Sequence, residues 1–214
     1  VTTYVVKGAR LGRRDRAWSL YAYLTVMLAL ILAGVGMFKI FGHEGAVRAG
    51  QQQLEQTWSS SLGEQVGTAS AGALVSPPKP LPGNALARMT VPSLNQSWIV
   101  VEGTSLADIA TAPGHYSFSA MPGKVGNFSV AGHREIGIFW DLDEIKPGNK
   151  IVVETRSGTF TYVVTRNFIT APDSWAEVSP TPPGFRPGSK VLTLTTCNPK
   201  WDNYERLVIH AVLT

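Results

Sequence analysis

The sequence predicts an all-β domain, a small barrel or sandwich from about residue 85 to the C-terminus, preceded by one membrane-spanning helix and a linker. Three observations predict it. Short β-prone runs recur over roughly the last 130 residues, Pro-Gly pairs punctuate them, and one long uncharged apolar stretch stands near the N-terminus. Helical signal elsewhere is weak, limited to pieces near Ser105 to Thr111 and Asp141 to Ile145.

The first element is the uncharged stretch from Ala17 to Phe38. Its 22 residues include Leu20, Leu24, Val26, Met27, Leu28, Leu30, Ile31 and Leu32. At about 1.5 Å per residue, such a helix spans the ~30 Å hydrocarbon core of a bilayer. Trp18, Tyr21 and Tyr23 gather at one end, where amphipathic rings prefer the interface. A cleaved signal peptide has a shorter apolar region, and no convincing Ala-x-Ala site follows, so residues 17–41 read as an uncleaved anchor.

Charge supplies the orientation. Residues 1–16 carry Lys7, Arg10, Arg13, Arg14 and Arg16 against Asp15, which accounts for the whole chain's net charge of +4. Everything after residue 16 is therefore neutral, and a nucleic-acid-binding face, which needs a basic excess in the folded domain, is excluded. A basic flank beside a membrane helix marks the cytoplasmic side, so residues 1–16 read as a cytoplasmic tail with the bulk of the chain outside.

Residues 42–84 read as an extracellular stalk. Gln51-Gln52-Gln53, Ser59-Ser60-Ser61 and Pro77-Pro78-Lys79-Pro80 offer little that forms a core. Within it, residues 44–66 are expected to form a short polar helix, with Leu54, Trp58 and Leu62 at helical spacing.

Strand signals begin after the prolines. Met89 to Pro92 and Trp98 to Val101 are the first β-prone runs. Ile151 to Thr155 and Phe160 to Thr165 flank Arg156-Ser157-Gly158-Thr159, a hairpin turn. Val191 to Thr196 and Leu207 to Leu213 close the set, with turns at Pro122-Gly123, Pro147-Gly148 and Pro187-Gly188.

Chemistry enters with Cys197, the single cysteine of the chain. Exported proteins that keep cysteines for stability usually hold even numbers of them, so this thiol is inert and buried, pairs between molecules, or is a nucleophile. A thiol nucleophile needs a neighbouring base or positive charge. Among the four histidines, His43 lies at the membrane boundary and His210 sits inside an apolar strand, the usual setting of a structural histidine. His115 has a loop setting and is a candidate for shaping the site. His133 ends the strand-like run Asn127 to Ala131 and Gly132, where a glycine lets the chain bend and present the imidazole. Arg206 starts the last strand, nine residues after Cys197. If the two flanking strands pair, cysteine and guanidinium lie at the same end of the sheet, on the face shared by Val208 and His210. An arginine there donates to a developing oxyanion or to substrate carbonyls; the alternative is a surface ion pair with Asp202 or Glu205. One cysteine and scattered histidines give no metal-ligand spacing, and no phosphate-cradling glycine loop is present, so neither metal nor cofactor is expected.

The run Thr193-Leu194-Thr195-Thr196-Cys197 resembles the TLxTC signature of sortases, and Arg206 falls where that family places its arginine. Asn127 to Arg134 is similar to the sortase segment that ends in its histidine. Pro113-Gly114-His115-Tyr116 and Thr196-Cys197-Asn198-Pro199-Lys200 look most like class E sortases of high-GC Gram-positive bacteria. The resemblance covers about residues 85–214. Class E members often carry Thr-Thr-Tyr after the His-Arg pair, whereas this chain has Glu135-Ile136-Gly137.

The resemblance implies an eight-stranded sortase β-barrel with short helices, a monomeric catalytic domain at residues 85–214, and cysteine transpeptidation. Cys197 would attack the Thr–Gly carbonyl of an LPxTG-like or LAxTG-like sorting signal, His133 would serve as acid and base, and Arg206 would position substrate and stabilise the oxyanion. His115, Tyr116, Thr195 and Thr196 are the expected substrate-binding residues. The implied partners are sorting-signal-bearing surface proteins and an amine of a lipid-linked peptidoglycan precursor. Two rivals are another cell-wall cysteine hydrolase or transpeptidase, whose local cysteine motif is absent here, and a non-enzymatic β-domain with a merely buried cysteine.

Overall fold

The computed structural model describes residues 13–67 and 84–214. The chain divides into two units, residues 1–43 and residues 44–214. Helix α1 is Arg13–Gly67. Within the first unit, Leu20–Met37 is a helical window long and apolar enough to cross a membrane, and none of it is buried by protein. Most of the expected basic tail, residues 1–12, and the Ala/Gly/Ser- and Pro-rich segment 68–83 lie outside the described residues.

The second unit is built on eight strands: β1 (Ala85–Val91), β2 (Gln96–Glu102), β3 (Gly114–His115), β4 (Gly126–Ala131), β5 (Lys150–Thr155), β6 (Gly158–Thr170), β7 (Lys190–Asn198) and β8 (Glu205–Leu213). They close into a barrel in the order β1-β2-β3-β4-β7-β8-β6-β5. Closure selects the barrel over the sandwich that the strand spacing equally allowed, and it removes most of the unpaired sheet edge. Most neighbours are antiparallel; β2/β3 and β4/β7 are parallel. The two short helical signals appear as single 3-10 turns, Asp108–Ala110 and Leu142–Glu144, and a third, Trp175–Val178, lies in the β6–β7 loop.

Alternation sorts the side chains. Met89, Val100, Phe128, Val130, Ile151, Val153, Leu192, Leu194, Ile209 and Ala211 point inward and form the core. The β4–β5 loop contributes Ile138, Phe139, Leu142 and Ile145 to the same core. The expected hairpin after Thr155 is tighter than its sequence suggests, with Arg156-Ser157 as its turn and β6 beginning at Gly158. Strand β6 runs on to Thr170 through a register shift at Val164/Arg166, beyond the apolar run that signalled it.

Residues 44–67 are helical as expected, and they belong to the barrel unit rather than standing away from it. Trp58 is fully buried against Ala85 and Ile99, with Leu54 beside it. Strand β3 pairs β2 only at Val101 and Glu102, which leaves the earlier part of that β2 edge open. The helix covers it: Gln51 Oε1 accepts from Ile99 N (2.8 Å), and Gln51 Nε2 donates to Ile99 O (3.3 Å) and Thr111 O (3.1 Å). Glu55 pairs with Arg88, whose other end reaches Glu154 at 3.1 Å.

Candidate active site

Strand register assembles the site. Leu192 and Leu194 point into the core, so Thr193, Thr195 and Cys197 point out. Antiparallel pairing sets Cys197 opposite Arg206, Thr195 opposite Val208 and Thr193 opposite His210. Parallel pairing of β4 with β7 ends with Ala131 opposite Thr195, and the chain on either side of His133 stays against β7, with Gly132 on Thr195 and Thr196 and Arg134 Nη1 3.4 Å from Cys197 O. The Gly132 N–H donates to Thr195 O at 3.1 Å and Thr196 Oγ1 donates to Gly132 O at 2.8 Å, so the connection to His133 is tied to β7 itself.

Gly132 is needed for a reason other than the bend expected of it. Its φ is not in the left-handed region; instead, a Cβ there would lie 2.6 Å from the Phe139 ring and 3.0 Å from Ile138 Cγ2. The β4–β5 loop folds back over the glycine and plugs the barrel with those two side chains. The imidazole of His133 is about one-third exposed, with Glu135 Oε1 at 3.9 Å from Nδ1, too far for a direct hydrogen bond.

Cys197 is partly exposed and unpaired with any other cysteine. Arg206 Nη1 donates to Asn203 O (2.8 Å) and Glu205 O (2.9 Å), which fixes the guanidinium at the rim. Arg206, Thr195 and Val208 floor a groove of about 160 Å³ on the outer face of the barrel. Tyr116 and the β6–β7 loop residues Ala171, Pro172, Ser174, Trp175, Glu177 and Val178 form its walls. Tyr116 Oη and Thr195 Oγ1 are 3.2 Å apart, so a hydroxyl pair bridges one end of the groove.

The structure thus pairs Cys197 with Arg206, sets Arg206, Tyr116 and Thr195 along one groove, and ties the loop that carries His133 to the cysteine strand. It does not bring His115 and Thr196 to that groove. Thr196 is buried with its hydroxyl on Gly132 O, and His115 is 2% exposed, facing Phe128 with ring centroids 5.2 Å apart. His115 Nδ1 meets Glu102 Oε2 at 2.8 Å and Nε2 meets Ser119 Oγ at 2.9 Å, so both ring nitrogens are occupied.

One supporting residue escaped the sequence reading although it follows His133 directly. Arg134 is 7% exposed and donates from Nε to Trp140 O (2.9 Å) and from Nη1 to Cys197 O (3.4 Å), and it pairs with Asp143 at 2.9 Å. It locks the β4–β5 loop to the cysteine strand. An arginine adjoining a candidate base was the available signal. Among the described residues no group of histidine, cysteine and carboxylate side chains forms a metal site.

A closed β-barrel that sets a thiol opposite a guanidinium at one strand end, with a histidine-bearing loop tied to the same strand, fits a thiol acyl-transfer enzyme. The Sortase domain family model matches residues 89–214, more than half of the chain, and the chain belongs to the sortase family, whose members are cysteine transpeptidases. Among curated relatives, Sortase SrtE1 of Streptomyces coelicolor is 32% identical over 140 residues, covering 60% of this chain and 40% of the relative's length. Sortase SrtE2 of the same organism is 27% identical over 224 aligned positions, covering 94% of this chain and 86% of that one. The crystal structure of Sortase E1 from Streptomyces coelicolor with a tripeptide in the active site superposes with a TM-score of 0.58 at 31% identity, covering 62% of this chain and 90% of that one.

Proposed function

We propose that this chain is a membrane-anchored transpeptidase that cleaves an LPxTG-like or LAxTG-like sorting signal between Thr and Gly and joins the upstream protein to a peptidoglycan amine. The observation that carries this reading is the register that sets Cys197 opposite Arg206, which lines a groove, with the His133 segment tied to the same strand. The groove receives the sorting signal in extended form. Cys197 Sγ, as thiolate, attacks the Thr carbonyl carbon, and Arg206 donates to the oxygen as it gains charge. Collapse of the tetrahedral species breaks the Thr–Gly C–N bond, and His133 gives its proton to the departing glycine nitrogen. The remaining thioester is attacked by the acceptor amine, which surrenders a proton to neutral His133 as the Cys197 thiolate leaves. Atoms and charges balance without metal or cofactor.

The apolar window Leu20–Met37 supports a bilayer anchor, which keeps the site close to membrane-held proteins and lipid-linked wall precursors. The neutral charge of the chain after residue 16 and the basic residues before it support an outward-facing barrel. The test is incubation of the full chain in detergent with a panel of Leu-Pro and Leu-Ala sorting peptides and a glycine-based amine. Intact-mass spectrometry should show a thioester on Cys197 and a peptide cut after Thr. A chain that forms no acyl adduct with any peptide in the panel is not the enzyme proposed.

A further inference from the structure

The outer face of β6, β7 and β8 holds a second polar cluster, deeper than the catalytic residues and unused by the mechanism above. His210 is fully buried, and Arg166 donates to its Nδ1 from Nε (3.0 Å) and Nη2 (2.8 Å). A guanidinium can only donate, so Nδ1 must accept and the ring proton sits on Nε2. That nitrogen faces Glu177 Oε2 at 3.4 Å, and Arg166 Nη2 lies 3.6 Å from the same carboxylate oxygen. The ring is enclosed by Phe168 and Phe185, with centroids 5.4 and 5.3 Å away. Burial, then the charge of Arg166, lowers the His210 pKa to about 4, so at neutral pH Nδ1 remains an acceptor.

What the cluster grips is the groove wall. Glu177 belongs to the 3-10 turn Trp175–Val178, and Trp175, Glu177 and Val178 all line the groove. Asn127 Nδ2 donates to Glu177 O (3.1 Å) and Ser179 O (3.0 Å), and Thr193 Oγ1 holds Asn127 Oδ1 at 2.7 Å. Further along the same loop, Arg166 also donates to Pro183 O and stacks on Phe185 with its guanidinium carbon 5.5 Å from the ring centroid. The loop is therefore fastened at two places to barrel residues. Glu177 Oε2 is buried 3.6 Å from Arg166 Nη2 and 3.4 Å from His210 Nε2, a charge contact without a direct hydrogen bond to either.

We infer that Arg166 and His210 are specificity-determining positioning residues of the donor groove: they pin the β6–β7 loop and neutralise Glu177, so that the wall accepts an aliphatic side chain and disfavours a cationic one. The inference rests on the proposed reading of that groove as the sorting-signal site. With Glu177 tied back, the groove presents Ala171, Pro172, Trp175, Val178 and Val208 as an apolar patch beside the polar Thr170, Ser174, Tyr116 and Thr195, with Arg206 at its floor. Freed, the same carboxylate would put a negative charge among those side chains, which repels an aliphatic group by the cost of burying it beside an unpaired ion and attracts an ammonium.

The experiment compares sorting peptides that begin with Leu and with Lys, in both Leu-Pro and Leu-Ala series, on the full chain in detergent. Wild type should prefer Leu. Arg166→Gln and His210→Gln should each raise KM for the Leu peptides about tenfold with kcat nearly unchanged, and shrink the Leu-over-Lys preference by a similar factor. Arg166→Gln/Glu177→Gln, which removes the freed charge, should restore the Leu preference, an effect that mere loosening of the fold would not produce. If His210→Gln melts below the assay temperature, Arg166→Gln, at a side chain 38% exposed, decides the matter alone. Unchanged KM and selectivity, a loss confined to kcat, or a double variant no more selective than Arg166→Gln would each overturn the inference. A wild type inactive on every peptide would instead overturn the proposed function on which it rests.

Discussion

Arg206 separates catalysis from packing at the scale of one residue. Its guanidinium is held by the Asn203 carbonyl of the β7–β8 loop and the Glu205 carbonyl at the start of β8, and it lines the groove, so it is positioned to donate as a fork. Arg206→Lys keeps the charge and loses the geometry; transpeptidation should fall about a hundredfold, in line with the loss of one oxyanion donor. The melting temperature should hold, since an exposed polar contact is worth about 0–1 kcal/mol. Near-wild-type turnover by that variant would mean that Arg206 is structural. His210 makes the opposite prediction, on stability. Its folded pKa is about 4 against about 6.5 when unfolded, so below pH 6.5 the unfolded chain takes up a proton that the folded chain refuses. Its contribution is complete above pH 6.5 and declines as pH falls toward 4. Denaturant unfolding of wild type and His210→Gln at pH 7 and pH 5 should show a steeper loss in wild type, and parallel losses would refute the assignment of a neutral buried imidazole.

At the scale of an element, the helical residues 44–67 are the part of the chain whose composition misleads. Glutamines and serines suggest a solvated stalk, yet this segment buries Trp58 completely and caps the open edge of β2 with Gln51. Trp58→Ala should cost about 3–5 kcal/mol, measured by denaturant unfolding. Trp58→Phe should cost much less, because the indole Nε1 has no protein hydrogen-bond partner to lose. A soluble domain cut at residue 85 should accordingly melt lower than one cut at residue 44. Equal melting temperatures would make the docked helix dispensable.

The whole molecule is a question of sidedness. The basic residues lie before the apolar window, and the charges after residue 16 cancel. A protease added to intact protoplasts should therefore remove the barrel unit and leave residues 1–16 protected. Protection of the barrel would reverse the topology and strand the proposed active site away from the cell wall.

Much of this was determined by the sequence alone. Cys197, His133 and Arg206 stood out as candidates in the sequence because a single thiol has few possible partners, and because strand ends display polar residues that an apolar run cannot hide. The apolar N-terminal helix was legible because its uncharged run is as long as a bilayer is thick. The strands were legible wherever alternation or an apolar run was clean. Only the tertiary structure decided the rest. Strand order and the parallel β4/β7 pairing depend on residues far apart in the chain, and they alone bring the His133 loop against the strand that carries Cys197. Gly132 is read as a hinge locally and as a space for Phe139 in the fold. The two-residue strand β3 is too short to leave a periodic trace, and pairing turned its histidine inward while its neighbour Tyr116 reaches the groove. Glu177 and Arg166 look like ordinary surface charges in sequence. Burial of a histidine between them, possible only once β6, β8 and the β6–β7 loop meet, gives those charges a defined partner and a direction.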